Sequence, residues 1–136
     1  METKRGLRGK LLKDCIFCNL EDSRKIFEDD FFIVIRDAYP VTNLHTLLIP
    51  KRHVPSYFDL NEQELIRLQG LIADQKNLIL KEDKEVTAFN LGINDGIDAG
   101  QTIMHCHIHL IPRRVGDVEN SRGGVRGVIP EKQNYK

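Results

Sequence analysis

Short apolar-rich stretches bounded by turn residues recur along the chain, and the pattern switches once to helical spacing. Lys25 to Glu28 and Phe31 to Arg36 read as two strands joined by a tight turn at Asp29-Asp30, a hairpin signal. After a loop through Asp37, Pro40 and Asn43, the segment Leu44 to Ile49 reads as a third strand closed by Pro50. Asn61 followed by Glu64 has the form of a capping box, and Leu65, Leu68, Ile72 and Ile79 then recur at helical spacing. That spacing predicts about five turns of amphipathic helix. Val86 to Leu91 reads as a fourth strand, Asn94-Asp95-Gly96 to Gly100 as a glycine-containing loop, and Thr102 to Ile111 as a fifth strand ending at Pro112. From Val115 onward, Gly116, Gly123, Gly124 and Gly127 predict an irregular segment. Strands in a run with one long helix inserted point to an α+β fold on an antiparallel sheet.

A chain of 136 residues suits one domain. Twenty basic and twenty acidic residues cancel, so the global positive field of a non-specific nucleic-acid binder is missing and any phosphate recognition has to be local. Met1 to Asp14 carries Lys4, Arg5, Arg8, Lys10 and Lys13 with only Leu11-Leu12 as an apolar pair, and no run approaches the length of a membrane span. With three cysteines as well, a reducing compartment and a cytoplasmic protein without a membrane partner are expected. The organisation expected is a basic extension over residues 1–14, a domain over 15–114 and an irregular segment over 115–136.

The chemistry is concentrated in Ile103-Met104-His105-Cys106-His107-Ile108-His109-Leu110-Ile111. On a strand, His105, His107 and His109 share one face, spaced about 6.5–7 Å apart, while Met104, Cys106, Ile108 and Leu110 share the apolar one. Cys106 then reads as packing. Three of the chain's five histidines in one row imply a site, because imidazole titrates near neutrality. Two other readings stay open: a metal-dependent hydrolase or oxygenase with the histidines as catalytic ligands, and a nucleotide-binding regulatory protein without turnover.

The stretch from Gly100 to Pro112 resembles the histidine-triad (HIT) signature, His-x-His-x-His followed by two apolar residues. Asn43 to His53, with a histidine before an apolar strand ending in Pro-Lys-x-His, is similar to that family's upstream segment. Asp37, the Asn94 loop and Cys15-x-x-Cys18 extend the likeness to nearly all of residues 15–112. The resemblance implies a HIT-like fold, a five-stranded antiparallel sheet with one long helix and a short helix. It also implies a nucleotide hydrolase or transferase, similar to the zinc-containing bacterial branch and to diadenosine polyphosphate hydrolases. By resemblance, His107 attacks the α-phosphorus and is transiently nucleotidylated, and water then releases the monophosphate. A hydrogen bond from its other ring nitrogen is needed to hold the tautomer. His109 and His45 are expected beside it, and as cations they would stabilise developing negative charge.

The same resemblance assigns Asp37 to ribose hydroxyls and Asn94, Thr102 and His109 to phosphate, with Gln101 next to them among the expected nucleotide-binding residues. Read alone, Asn-Asp-Gly is a turn and Asp37 a loop cap. Phe32, Val34 and Leu44 suit either a base pocket or the core. Cys15 and Cys18 are spaced to reach one Zn²⁺, and a tetrahedral site would recruit His53 and His105, an assignment similar to that in zinc-containing HIT proteins. Two ordinary buried cysteines are the alternative. A structural zinc, no organic cofactor and, from the family likeness alone, a homodimer are expected. The substrate class expected is dinucleoside polyphosphates such as diadenosine tetraphosphate, then nucleoside phosphoramidates. The basic residues from Arg113 to Lys136 suit either a polyphosphate clamp or a solvated tail.

Overall fold

Five strands and one long helix account for the regular structure of the computed structural model, which describes residues 12–135. Most of the expected basic extension, and Lys136, lie outside the described residues. The strands are β1 (Lys25–Glu28), β2 (Phe32–Arg36), β3 (Thr46–Pro50), β4 (Val86–Gly92) and β5 (Ile108–Arg114), in the sheet order β1-β2-β3-β5-β4. Every pair is antiparallel. The helix α1 (Glu62–Glu82) crosses one face, and the shorter helical elements described are all 3₁₀ turns.

The hairpin turn is held by Asp29, whose carboxylate accepts from the backbone N–H of Phe31 and Phe32 at 2.8 Å each. This delays β2 by one residue from the expected Phe31. In β2 all of Phe32 to Ile35 are buried, because the strand is covered on both sides. Phe32, Val34, Leu48, Ile108 and Leu110 pack under Leu68, Leu71 and Ile79 of α1. Full burial of each such side chain contributes about 1.5–3 kcal/mol. Leu44 joins this core from its edge, so these apolar residues build the core and not a base pocket. On the opposite face Ile33, Ile35, Leu47 and Ile49 are covered by Phe17, Cys15, Leu20 and Ile103.

Helix α1 opens with the expected capping box. The Asn61 side chain accepts from Glu64 N–H at 2.9 Å, and the Glu64 carboxylate accepts from Asn61 N–H at 2.9 Å. Its buried stripe runs through Glu64, Leu68, Leu71, Gln75 and Ile79, while Leu65, expected in the core, is 36% exposed. The helix is rotated so that Glu64 points inward, where Arg52 donates to both of its oxygens at 3.1 and 2.9 Å.

Two larger differences from the expected strand limits build the site. β3 starts at Thr46, not Leu44, because Leu44 has a left-handed φ of +73° at the third position of a turn in which His45 N–H donates to Thr42 O. That conformation costs a leucine roughly 1–2 kcal/mol. It is offset by its packing against the core and by Thr46 Oγ1, which donates to Leu44 O at 2.7 Å. β5 starts at Ile108, six residues later than the expected Thr102, and runs past Pro112 to Arg114. Pro112 is tolerated because its carbonyl side faces Thr42, beyond the end of β3, where no ladder partner waits for an N–H.

Candidate functional site

The late start of β5 separates the three histidines. Cys106 N–H donates to Val54 O at 2.7 Å instead of joining the sheet, and the chain bends through residues 103–105. Met104 and Cys106, expected on one apolar face, part company: Met104 is 43% exposed and Cys106 is buried. His105 is fully buried and turns away from the other two.

His105 Nε2–H donates to Pro50 O at 2.7 Å, which leaves a lone pair on Nδ1. That atom lies 3.1 Å from His53 Nδ1, 3.4 Å from Cys15 Sγ and 3.6 Å from Cys18 Sγ, and Cys18 Sγ lies 3.3 Å from His53 Nδ1. Nitrogen and sulfur ligands at about 2.0–2.3 Å from a tetrahedral ion stand about 3.3–3.8 Å from one another. The four donors expected from the sequence therefore converge with the spacing a metal needs. Burial pushes His105 down to about 4 and lowers His53, so both rings are neutral, the form in which imidazole binds a cation. Burial raises the Cys18 thiol, and a cation would reverse that by taking the thiolate.

His107 follows in the bend, half-buried, with Nδ1–H donating to the His105 carbonyl at 2.8 Å. The lone pair is then on Nε2. The Phe17 ring stands edge-on to it at 5.0 Å, and His109 is 5.3 Å away on the other side, both between ring centroids. Phe17 was not singled out in the sequence, although its position between Cys15 and Cys18 was the available signal. A loop pulled toward His105 by those cysteines carries its middle residues to the same place.

His109 is the first of the three on a regular strand, opposite Leu47 of β3 and Gly92 of β4, on the face away from α1. Its Nδ1 is 2.9 Å from Nε2 of buried His45. His45 Nδ1 accepts from Val41 N–H at 3.1 Å, and an Asp37 carboxylate oxygen lies 3.5 Å from Nε2. Burial decides the charge of His45 and His109 in the free site. Burial lowers His45 despite the nearby Asp37, and burial together with His107 and His45 takes His109 down to about 4. Both are neutral hydrogen-bonding groups near pH 7.

The remaining expected residues are spread unevenly. Asp37 caps its loop, with Oδ1 accepting from Tyr39 N–H at 2.8 Å, while its other oxygen faces His45. Asn94 lines an open cleft of about 890 Å³ together with Thr42, His45, His109 and Arg113. Thr102 is exposed in the adjoining loop. Gln101 is buried, and its amide holds that loop together. Nε2 donates to Pro55 O and Ile103 O at 2.9 and 3.1 Å, and Oε1 accepts from Gly96 N–H at 2.8 Å. Both amide protons are used, so none is left for a phosphate.

Residues 115–135 fold back along the cleft through 3₁₀ turns at Gly124–Val128 and Pro130–Lys132. Arg113 anchors them, donating to both Asp117 oxygens at 2.8 and 2.7 Å and to Asn90 Oδ1 at 2.6 Å. Arg122 and Arg126 lie over the Tyr135 ring at 4.8 and 4.7 Å. Of the basic residues described beyond Pro112, only Arg113 lines the cleft.

Residues 19–116 match the HIT domain. The chain is 35% identical to adenylylsulfatase HINT3 of Arabidopsis thaliana over 111 residues, covering 79% of this chain and 56% of that protein, so it spans little more than half of that relative's length. It is 37% identical over 103 residues to a HIT-like protein of Mycoplasma genitalium, covering 73% of this chain and 72% of that one. Its fold is similar to that of a Zn-bound histidine triad family protein from Mycobacterium smegmatis, with a TM-score of 0.71, 32% identity, and 79% and 80% of the two chains covered.

Proposed function

Because the chain belongs to the HIT-domain family, we propose that it is a nucleotide hydrolase or transferase that cleaves at the α-phosphate through a nucleotidyl-histidine on His107. The observation that carries this reading is the hydrogen bond from His107 Nδ1–H to the His105 carbonyl at 2.8 Å, which leaves the lone pair on Nε2. That is the requirement for an imidazole nucleophile. His109, held by His45, supplies a hydrogen bond to a phosphoryl or leaving-group oxygen. Asp37 receives ribose hydroxyls with the lone pairs left on its carboxylate, and Asn94 and Thr102 contact phosphate. Gln101 drops out of this set as a loop staple.

Cys15, Cys18, His53 and His105 hold a structural zinc in this reading, and the Mycobacterium smegmatis relative is named as Zn-bound. The metal supplies a cross-link, and the chemistry is left to the protein's own groups. By holding His105 it also holds the carbonyl on which His107 depends. The metal-dependent hydrolase is disfavoured, since His105 faces the cysteines while His107 and His109 face elsewhere, and the three do not converge on one ion.

Dinucleoside polyphosphates are the substrate class assigned, with nucleoside phosphoramidates second. The Arabidopsis thaliana relative is named as acting on an adenylyl sulfate compound, a related leaving-group chemistry. A homodimer is part of this reading, and β4 is an edge strand that pairs only with β5 among the described residues. The test is mass spectrometry of the protein mixed briefly with a nucleotide panel, where a monophosphate adduct on one histidine is expected. His107→Ala should lose the adduct and all turnover while keeping its circular dichroism and melting temperature. Full activity in that variant overturns the mechanism.

A further inference from the structure

The turn that carries Cys15 and Cys18 has a geometry that metal binding alone does not require. Cys18 N–H donates to Cys15 O at 3.2 Å and lies 3.3 Å from Cys15 Sγ, so residues 15–18 form a hydrogen-bonded turn. Such a turn brings its first and last Cα atoms within about 7 Å, which a disulfide spans. The two sulfurs lie within 4.8 Å of each other, so bonding them takes side-chain rotation and no unfolding.

The cysteines differ in access. Cys18 is buried, while Cys15 is partly exposed and lines an open hollow of about 350 Å³ with Lys13, Asp14, Asn19, Glu21 and Arg24. Asn19 braces the turn, its side-chain amide donating to Leu12 O and Cys15 O at 2.7 Å each. Cys106 is buried in the core under α1, on the other side of the sheet from the apolar cluster that Cys15 and Phe17 join. Between the paired cysteines, Phe17 meets the rings of His105 and His107 edge-on at 6.0 and 5.0 Å.

Taking the four residues as zinc ligands, as above, we propose that Cys15 and Cys18 are a reversible oxidation site. A hydroperoxide converts them to a disulfide, zinc leaves, and His107 loses the support that fixes its tautomer.

The step balances within the pair. The Cys15 thiolate, the one a solute reaches, attacks a peroxide oxygen, the O–O bond breaks, and hydroxide leaves with that electron pair. The Cys18 thiolate then attacks the sulfenic sulfur of Cys15, the S–O bond breaks, and a second hydroxide leaves. Two electrons pass from sulfur to peroxide, and two protons from solvent turn the hydroxides into water. Zinc takes thiolates, and a disulfide offers none. Its sulfurs also stand about 2.05 Å apart, against about 3.8 Å for two thiolates on a tetrahedral ion. His53 and His105 alone do not close a site of that kind. His105 Nδ1 then has no cation to hold it, and Phe17 shifts with the contracted turn. Both changes act on the bond from His107 Nδ1–H to the His105 carbonyl.

The experiment treats the reduced, zinc-loaded full chain with hydrogen peroxide. Released zinc is read with a chromogenic chelator, the thiols by whole-chain mass and peptide mapping, and the His107 ring nitrogens by NMR. The expected result is about one zinc released per chain and a mass about 2 Da below that of the reduced chain. The bond should map to Cys15 and Cys18, with Cys106 still a thiol. The His107 nitrogens should move from the Nδ1–H form toward exchange between tautomers, and the nucleotide adduct should fall at least about tenfold. A thiol reductant together with zinc should restore both. Zinc and thiols unchanged under peroxide that joins the same cysteines in the unfolded chain overturns the inference. So does a bond to Cys106, irreversible oxidation of Cys15, or zinc release with unmoved His107 nitrogens. Protein that never holds zinc removes the four-ligand reading and this inference with it. Reduced, zinc-loaded protein that gives no adduct with any nucleotide removes the nucleotidyl-histidine, while zinc, mass and NMR still decide this inference.

Discussion

Replacing Gln101 with alanine separates a loop staple from a nucleotide contact. The side chain is 5% exposed and makes three hydrogen bonds, to Pro55 O, Ile103 O and Gly96 N–H. A buried hydrogen bond contributes about 0.5–1.5 kcal/mol net, and a buried group left without a partner costs about 1–3 kcal/mol. Water entering the gap would satisfy part of the orphaned backbone, so the expected loss is about 2–4 kcal/mol in all. That is a large fraction of the roughly 5–15 kcal/mol that holds a small domain together. With a urea m-value of about 2 kcal/mol per M, the midpoint should fall by about 1–2 M. The assay is urea unfolding followed by circular dichroism, with nucleotide affinity measured in parallel at low urea. Since Asn94 lies just outside the stapled turn, affinity should fall only as far as the loop loosens. An unchanged midpoint together with a large loss of nucleotide affinity would refute the staple and return Gln101 to the phosphate.

Purified protein should carry about one zinc per chain, and Cys18→Ser should lose it and melt about 10 °C lower, because a metal that binds only the folded chain adds its binding energy to stability; undamaged protein without metal and with the same melting point would end the four-ligand proposal. Arg52→Ala should cost about 2–3 kcal/mol in urea unfolding, since burial alone would raise the Glu64 carboxyl and Arg52 is what holds it ionised. As the folded pKa of Glu64 is depressed, that contribution is present above about 4.5 and lost at lower pH, so the variant should also flatten the acid limb. A second pH effect lies higher. His45 and His109 bind protons less readily folded than unfolded, His109 near 4 against about 6.5. The unfolded chain then takes up more protons between those values, so stability should be full above about 6.5 and decline as pH falls toward 4. Midpoints equal at pH 5 and pH 7 would contradict it.

Much of the fold is local and was legible from residues 25 to 92. The hairpin around Asp29-Asp30, the capping box at Asn61 and Glu64, and the short apolar run of β2 depend on neighbours within a few positions, and these set φ, ψ and side-chain direction. The residues that build the site were also legible, because His105, His107, His109, His45, His53, Cys15 and Cys18 are uncommon types at recognisable spacing. Their division of labour was not. Strict alternation puts the three histidines on one face, yet His105 is drawn out of the strand by partners 52 to 90 residues away, Pro50 O, His53, Cys15 and Cys18. The charge states of His45 and His109 were also hidden, since they follow from burial and from a Val41 N–H that only the folded turn aims. Gln101 shows the same limit from the other side: adjacent to a phosphate-binding pattern in sequence, it is committed to Pro55 across 46 residues. Local pattern decides which residues gather on a face, while which atom keeps a free lone pair or proton is decided by groups brought together from distant parts of the chain.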